Sequence, residues 1–305
     1  MHVIVHGGAG GTPTEPDARR AVLDEAASTG RSAESPLGAV ENAVRILESS
    51  PRFNAGVGSA VQSDGVARTD AGIMTSDLRA GAACSMPGVA HAVSVARVVL
   101  ERTPHVLVSG EGALALAAAY GIDTAVDLST DRSRERWDAR GPGSVGTRAQ
   151  LEWVREQFGT AGSARNDRQP NASDHDTVGA VATDGSTVAA ATSTGGRWFA
   201  LAGRVGDVPQ IGSGFYCTDA GGASATGAGE DIARVTLSRE AVRHLESGEP
   251  AQVAAERSIE TFVDRTGSRA GVIVMNRDGD VGQAYNTDAM QTSVATEPDR
   301  RRHRA

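Results

Sequence analysis

His175-Asp176-Thr177-Val178-Gly179 ends a polar, Pro-containing stretch and opens a β-rich run, with Thr192-Ser193-Thr194-Gly195-Gly196 and Gly203-Arg204-Val205-Gly206-Asp207 following at short range. The preceding segment, Gly159 to Ser173, is small, polar and aperiodic, so it buries no core of its own and reads as a cuttable loop. A cut between Asp176 and Thr177 would leave a hydroxyl nucleophile and a free α-amine on one residue, attacking group and general base together. A threonine hydroxyl attacks poorly until a base takes its proton, and an α-amine titrates at about 7.7 to 8.0, near working pH. The chemistry predicted from that pairing is amide hydrolysis, with no histidine required. Taken alone, Thr177 is also an ordinary β-branched residue opening a strand from Thr177 to Thr183. The neighbouring motifs favour the nucleophile.

Composition narrows the field. The 305 residues suffice for one large domain or two small ones. A count of 37 glycines with only 4% aromatic residues predicts tight turns and close layer packing. The alternation of strand-like and helix-like segments places the chain in the α/β class. A formal charge of -8 argues against nucleic acid or an anionic membrane as partner. All 30 basic residues are arginine, which excludes a Walker-type phosphate loop, a lysine Schiff base and a lysine general base. Cys84 and Cys217 show no CxxC spacing and read as small buried apolar residues. The seven histidines, His2, His6, His91, His105, His175, His244 and His303, form no metal-ligand pattern. The first residues read as a short apolar strand rather than a signal peptide, and no segment approaches the roughly 20 apolar residues of a membrane span. The expectation is a cytoplasmic protein.

Periodicity supplies a coarse map. Val3 to Val5 reads as a buried strand running into the glycines after His6. Ser35-Pro36 opens a helix carrying Val40, Ala43, Val44 and Leu47 at helical spacing, and Ser49-Ser50-Pro51 stops it. Val89 to Leu100, Gly112 to Tyr120 and Gln150 to Phe158 are further helices, with a strand from His105 to Val108. Thr177 to Thr183 and Ser186 to Thr194 form a hairpin across Asp184-Gly185. Helices are predicted over Asp231 to Glu246 and Pro250 to Asp264, and strands over Gly271 to Met275 and Val281 to Tyr285. The arginine-rich tail Glu297 to Ala305 reads as frayed. No internal repeat is visible.

Several short motifs occur in a specific order: His6-Gly7-Gly8-Ala9-Gly10, Phe53-Asn54-Ala55-Gly56-Val57-Gly58, Asp70-Ala71, Gly110-Glu111-Gly112-Ala113, Asp176-Thr177-Val178-Gly179, the two motifs that follow it, and Ala225-Thr226-Gly227. Over nearly the whole chain they closely resemble the plant-type asparaginase and isoaspartyl peptidase family, a branch of the N-terminal-nucleophile hydrolases related to the glycosylasparaginases. The resemblance implies a four-layer αββα sandwich, a single domain over 1–305. It further implies one inactive precursor that cuts itself between Asp176 and Thr177 into 1–176 and 177–305, with the linker about 159–176. The implied activity converts L-asparagine and β-aspartyl dipeptides to L-aspartate through a threonine acyl-enzyme, with no cofactor for catalysis.

Carried over residue by residue, Thr177 is the nucleophile and Thr194 orients and polarises it. Arg204 clamps the substrate α-carboxylate and Asp207 accepts the α-ammonium. Thr226 and the Gly227 amide form the oxyanion hole, and Gly227 and Gly229 are substrate-contacting backbone positions. The family also has a loop that binds sodium through backbone carbonyls, here falling on Leu47, Glu48, Ser50, Phe53, Ala55 and Val57. Processed chains are expected to pair as an (αβ)2 dimer, acting on a small amino-acid or dipeptide substrate. Individually these residues have plainer readings: Arg204 and Asp207 as a solvated ion pair, Thr192 and Thr194 as strand residues on one face, the glycines as turns.

Two departures bear on the leaving group. Between Gly196 and Gly203 many relatives carry a lysine, where this chain has Arg197-Trp198-Phe199-Ala200-Leu201-Ala202, and Gly221 to Asp231 partly resembles the glycosylasparaginase version. A glycosylasparaginase-like amidase is therefore the alternative enzyme. From another class, an unprocessed binder of aspartate-like metabolites fits the same residues.

Overall fold

The computed structural model describes residues 1–143, 146–160 and 177–296. The predicted linker from 161 onward, Asp176 and the arginine-rich tail lie outside them. Helices and two β-sheets make up the fold, as the α/β reading requires. Among the described residues the larger sheet has seven strands. In spatial order these are β11 (Ala289–Ala295), β1 (His2–Gly10), β5 (Val178–Thr183), β6 (Val188–Thr194), β2 (Arg68–Thr75), β3 (Ala80–Pro87) and β4 (Leu107–Ser109). Among the described residues, only the β3–β4 pair is parallel. The smaller sheet runs β10 (Val281–Tyr285), β9 (Ala270–Asn276), β8 (Gly221–Gly227) and β7 (Phe215–Thr218), antiparallel throughout.

The period of two along each strand sorts its side chains between layers. Val3, Val5, Ala180, Ala182, Ala189 and Ala191 pack against Val40, Ala43, Val44 and Leu47 of helix α2 (Pro36–Ser49). The alternate positions, Ile4, Val181, Val188 and Ala190, meet Phe215, Cys217, Ile273 and Met275 of the smaller sheet. On that sheet's other face, Ala223, Ala225, Val272 and Val274 pack under Leu237, Ala241, Ala254 and Phe262. These come from α8 (Leu237–Glu246) and α9 (Ala251–Thr266). Strands covered on both faces read as continuous small or apolar runs rather than alternating ones. Both cysteines are buried and free, in keeping with the apolar role that their spacing predicts.

The hairpin predicted across Asp184-Gly185 is present. Asp184 Oδ1 accepts from the Ser186 and Thr187 amides, both at 2.8 Å, and Gly185 takes φ +87°. This turn fixes the register Thr183↔Val188 through Val178↔Ser193, which brings Thr177 level with Thr194. Helix α2 starts as read, with the Ser35 hydroxyl accepting the Gly38 amide and Pro36 in the first turn.

Other readings need correction. The single helix predicted over Asp231 to Glu246 is two, α7 (Gly229–Val235) and α8, broken at Thr236 in the left-handed region (φ 54°). Tertiary anchors explain the break: the Ser238 and Arg239 amides donate to the Ser213 and Gly212 carbonyls, re-aiming the second helix. The strand predicted at His105 to Val108 is the shorter β4, shifted toward Ser109. The helix α1 (Pro16–Arg31) has no counterpart in the sequence reading, because its buried face is mostly Ala26, Ala27 and Gly30 rather than large apolar residues. No helix among the described residues is long and apolar enough to cross a membrane.

Candidate active site

At one end of the gap between the sheets the apolar filling gives way to hydroxyls. Ala190, Thr192 and Thr194 follow one another on the inward face of β6. Thr177 enters just before β5, and its Oγ1 donates to Thr194 Oγ1 at 3.1 Å. Thr194 Oγ1 also accepts from the Gly196 amide at 3.1 Å. Asp70 of β2 is the cross-strand partner of Thr194, so Thr177, Thr194 and Asp70 form one row across three strands. Facing them, Thr226 of β8 is fully buried, and its Oγ1 accepts the Ala9 amide of β1 at 3.3 Å, tying the two sheets together.

A cavity opens at this row, lined by Thr177, Thr194, Gly196, Arg197, Arg204, Gly206, Asp207, Gly227 and Gly229. Thr226 lies directly behind it, next to Gly227. Thus the structure brings together Thr177, Thr194, Arg204, Asp207, Gly227 and Gly229, and leaves only Asp176 outside the described residues. Two wider clefts, one around Glu15, Arg19 and Arg52 and the other around Glu41, Arg45 and Arg97, include neither Thr177 nor Thr194 in their lining.

The plain reading of Arg204 and Asp207 as a solvated pair fails on burial. Asp207 is buried, and its Oδ2 has no hydrogen-bond partner among the described residues. Burial pushes its carboxyl up to about 7 against the pull of Arg204. Arg204 Nε donates instead to Glu230 Oε1 at 2.8 Å. For Glu230, burial alone would raise the carboxyl; the charge and hydrogen bond of Arg204, with help from Arg197, overcome it and hold the group at about 2. Asp70 is lifted by burial to about 6, opposed by the Ser85 amide and by Arg204. Gly229 leaves room for these side chains: a Cβ there would lie 2.7 Å from Asp207 Oδ1 and 2.8 Å from Arg204 Nη2 and would push them aside. Glu230 stands in the quoted Gly221 to Asp231 segment without a role, and its helix-opening position offers no signal that it would reach Arg204.

Behind the threonine row lies a buried chain that sequence reasoning missed. His6 and Thr192 flank Gly179 in the β1–β5–β6 register. His6 Nε2 is 2.8 Å from Ser224 Oγ, Ser224 Oγ is 2.6 Å from Thr192 Oγ1, and Thr192 donates to the Gly214 carbonyl at 2.8 Å. The Gly8 amide donates to His6 Nδ1, so Nε2 carries the proton and the chain runs His6 to Ser224 to Thr192 to Gly214. Burial drives the His6 imidazole down to about 3, against a raising hydrogen bond to the Thr177 backbone, so the ring is neutral. A Cβ at Gly179 would sit 2.0 Å from Ser224 Oγ, so only glycine lets this bridge form.

The loop after α2 is held by its own carbonyls. Glu48 O accepts the Val57 amide at 2.8 Å, and Leu47 O accepts the Ser50 amide at 3.2 Å. A Cβ at Gly56 would lie 2.2 Å from Glu48 O, and one at Gly58 would lie 2.6 Å from Phe53 O. Carbonyl oxygens thus crowd this turn. Each keeps a second lone pair, the donor chemistry that a hard cation takes. The Glu48 side chain points to the active-site strand, with Oε1 accepting from Ser193 Oγ at 2.6 Å and from the Val93 amide at 3.0 Å. From the same loop, Asn54 Nδ2 donates to the Gly196 carbonyl at 2.6 Å, and the Asn54 carbonyl accepts the Gly195 amide at 2.8 Å. Asn54 therefore clamps the turn that follows Thr194.

An asparaginase family model matches residues 1–303, and the chain belongs to that family. It is 38% identical over 302 residues to the plant-type L-asparaginase of Pyrococcus furiosus, covering 97% of this chain and 96% of that one. It is 38% identical over 301 residues to the isoaspartyl peptidase/L-asparaginase of Xenopus laevis, covering 94% and 90%. With the human isoaspartyl peptidase/L-asparaginase it shares 36% over 305 residues, covering 96% and 92%.

Proposed function

We propose that this chain is a self-processing threonine amidohydrolase that cleaves L-asparagine and β-aspartyl dipeptides to release L-aspartate. The observation that carries the reading is the cavity itself. The hydrogen-bonded Thr177–Thr194 pair shares it with a half-buried arginine and with a buried carboxylate whose Oδ2 lacks a partner among the described residues. The names of the relatives supply the substrate class.

In the proposed maturation, the Thr177 hydroxyl adds to the Asp176 carbonyl, the peptide C–N bond breaks to leave an ester, and water hydrolyses that ester. A free α-amine then stands on Thr177. In turnover this amine takes the Thr177 Oγ proton as the oxygen attacks the substrate side-chain amide. The oxyanion is met by the Thr226 hydroxyl and the Gly227 amide. The leaving nitrogen departs with the proton, as ammonia or as the amine of an amino acid, and water then releases L-aspartate from the ester. Thr194, fixed by the Gly196 amide, donates toward Thr177 Oγ once that oxygen loses its proton. Arg204 holds the α-carboxylate, and Asp207 Oδ2 receives the α-ammonium, whose charge draws the carboxyl back to its ionised form.

The layers are read as a four-layer αββα sandwich of the N-terminal-nucleophile type, and the processed chains as pairing into (αβ)2. A sodium ion would sit on the carbonyls of Leu47, Glu48, Ser50, Phe53, Ala55 and Val57, lending positive charge that stiffens the loop bearing Asn54. A denaturing gel and intact-mass measurement test the core of the proposal. Fragments 1–176 and 177–305 with ammonia release from L-asparagine are expected, while Thr177→Ala stays whole and inactive. A chain that stays whole yet hydrolyses asparagine would refute it.

A further inference from the structure

Arg204, to which the proposed function assigns the substrate α-carboxylate, lies in neither helix nor strand. It belongs to the irregular run between Thr194, which ends β6, and Phe215, which opens β7. No sheet ladder or helical turn fixes it there. Its own turn is closed by the Arg204 amide donating to the Leu201 carbonyl at 2.8 Å, around Gly203 at φ +81°. Such a turn sets local shape but not its place in the molecule.

The place is set by residues 61–63, far earlier in the chain. The Phe199 amide donates to the Val61 carbonyl at 2.8 Å, the Ser63 amide to the Ala200 carbonyl at 2.8 Å, and the Ala202 amide to Ser63 Oγ at 3.0 Å. Gln62, between them, reaches Arg204 itself. Its side chain is buried; Oε1 accepts the Gly203 amide at 2.8 Å and Nε2 donates to the Arg204 carbonyl at 3.0 Å. The Gly203–Arg204 pair is thus gripped at both ends. Arg68 Nη1 also donates to Gln62 Oε1 at 2.8 Å, while its guanidinium makes a two-point pair with Asp64 at 3.0 and 2.7 Å. With two donors facing one end of the amide and a carbonyl facing the other, only this orientation of Gln62 satisfies every partner.

A connected line therefore runs from Asp64 through Arg68 and Gln62 to the backbone that carries the Arg204 guanidinium. Two-point pairing of a guanidinium with a carboxylate is geometric, so a backbone displaced by about 1 Å can cost as much as about a hundredfold in rate. We infer that Gln62 is a positioning residue for substrate recognition: by fixing the backbone at Arg204 it aims the group that binds the α-carboxylate. This rests on the proposed function and deepens it. Because Gln62 precedes the proposed cut and Arg204 follows it, one product of maturation would aim the substrate-binding group of the other.

The test compares kcat/KM for L-asparagine and for its α-amide, L-aspartic diamide, on protein shown by gel to be cut, following loss of the side-chain amide in each. The α-amide has no α-carboxylate and gains nothing from a well-aimed Arg204. The unaltered enzyme should favour L-asparagine by about tenfold to a hundredfold. In Gln62→Leu, similar in size but without polar atoms, that ratio should fall by about fivefold to tenfold through a higher KM for L-asparagine, while the α-amide reacts nearly as before. A site merely loosened would slow both substrates alike, and a ratio left standing in this way overturns the inference. Arg68→Met removes only the outer support of Gln62 and should shift the ratio the same way by about twofold to threefold. Should Gln62→Leu fail to mature, an unchanged ratio in Arg68→Met overturns the inference by itself. Cut, unaltered protein that hydrolyses neither substrate, or that shows no preference for L-asparagine, instead refutes the parent reading, and the positioning role with it.

Discussion

Asp207 shows how one side chain carries two pieces of chemistry. Its carboxyl sits at about 7 because burial disfavours the charge. Binding an ammonium requires the ionised form, and the Thr177 α-amine, at about 7.7 to 8.0, must be neutral to act as base. Both groups must lose a proton, so activity falls as pH falls. Log kcat/KM for L-asparagine should decline on the acid side with a slope approaching two below about pH 7. Asp207→Asn, in protein already cut, should lose about a hundredfold or more and leave a slope of one, since an ammonium buried without its partner is costly. A slope of one in the unaltered enzyme would remove Asp207 from this role. At this scale the sequence was informative where motif order fixed residue identity, as at Thr177, Thr194, Arg204, Asp207 and Gly229, which do gather at one cavity. It quoted Asp70 and Glu230 within motifs but gave them no role, because their importance comes from charges brought near by folding rather than from any local pattern.

Among elements, the hairpin β5–β6 and helix α2 were legible because turn chemistry and helical spacing are local signals. Strands β2, β3, β7 and β8 were not. Half or more of the residues of β2, β3 and β8 are Gly, Ala, Ser or Thr, and such strands are specified by how closely two layers approach; β7 is only four residues long. Gly72 illustrates this, since a Cβ there would meet the Phe215 ring at 1.9 Å. Predicting β8 would have required knowing that Ser224 bridges His6 and Thr192 across the layers. That bridge makes an element-level prediction. Ser224→Ala takes from the buried imidazole its side-chain acceptor and from the Thr192 oxygen the donor it accepts from, a loss of about 1–3 kcal/mol. Adding Thr192→Val should cost less than the two single changes summed, because the bond between Ser224 and Thr192 can be lost only once. Chemical denaturation of the four proteins in the cycle measures it. Strict additivity would mean the three side chains do not act as one chain.

For the whole molecule, the lack of lysine turns maturation into a chemical count. Residues 1–305 contain no side-chain amine, so the proposed cut creates a new primary amine on Thr177. An amine-reactive reagent should therefore label matured protein at one more site than Thr177→Ala protein, with activity lost in step with that extra label. Active protein that takes up no more label than Thr177→Ala protein would exclude a free Thr177 amine.

The order of strands in the larger sheet has a further consequence. Strands β1 to β4 precede the proposed cut and β5, β6 and β11 follow it, yet β1 lies between β11 and β5, and β2 lies against β6. The two products of maturation would be interleaved within one hydrogen-bonded sheet, unable to part without breaking its centre. Uncut, the chain refolds as a single polymer; cut, it must find its other half in solution. The mature form would then persist because unfolding is slow rather than because refolding is assured. Its working life would be a matter of kinetics, set by how rarely that central seam opens.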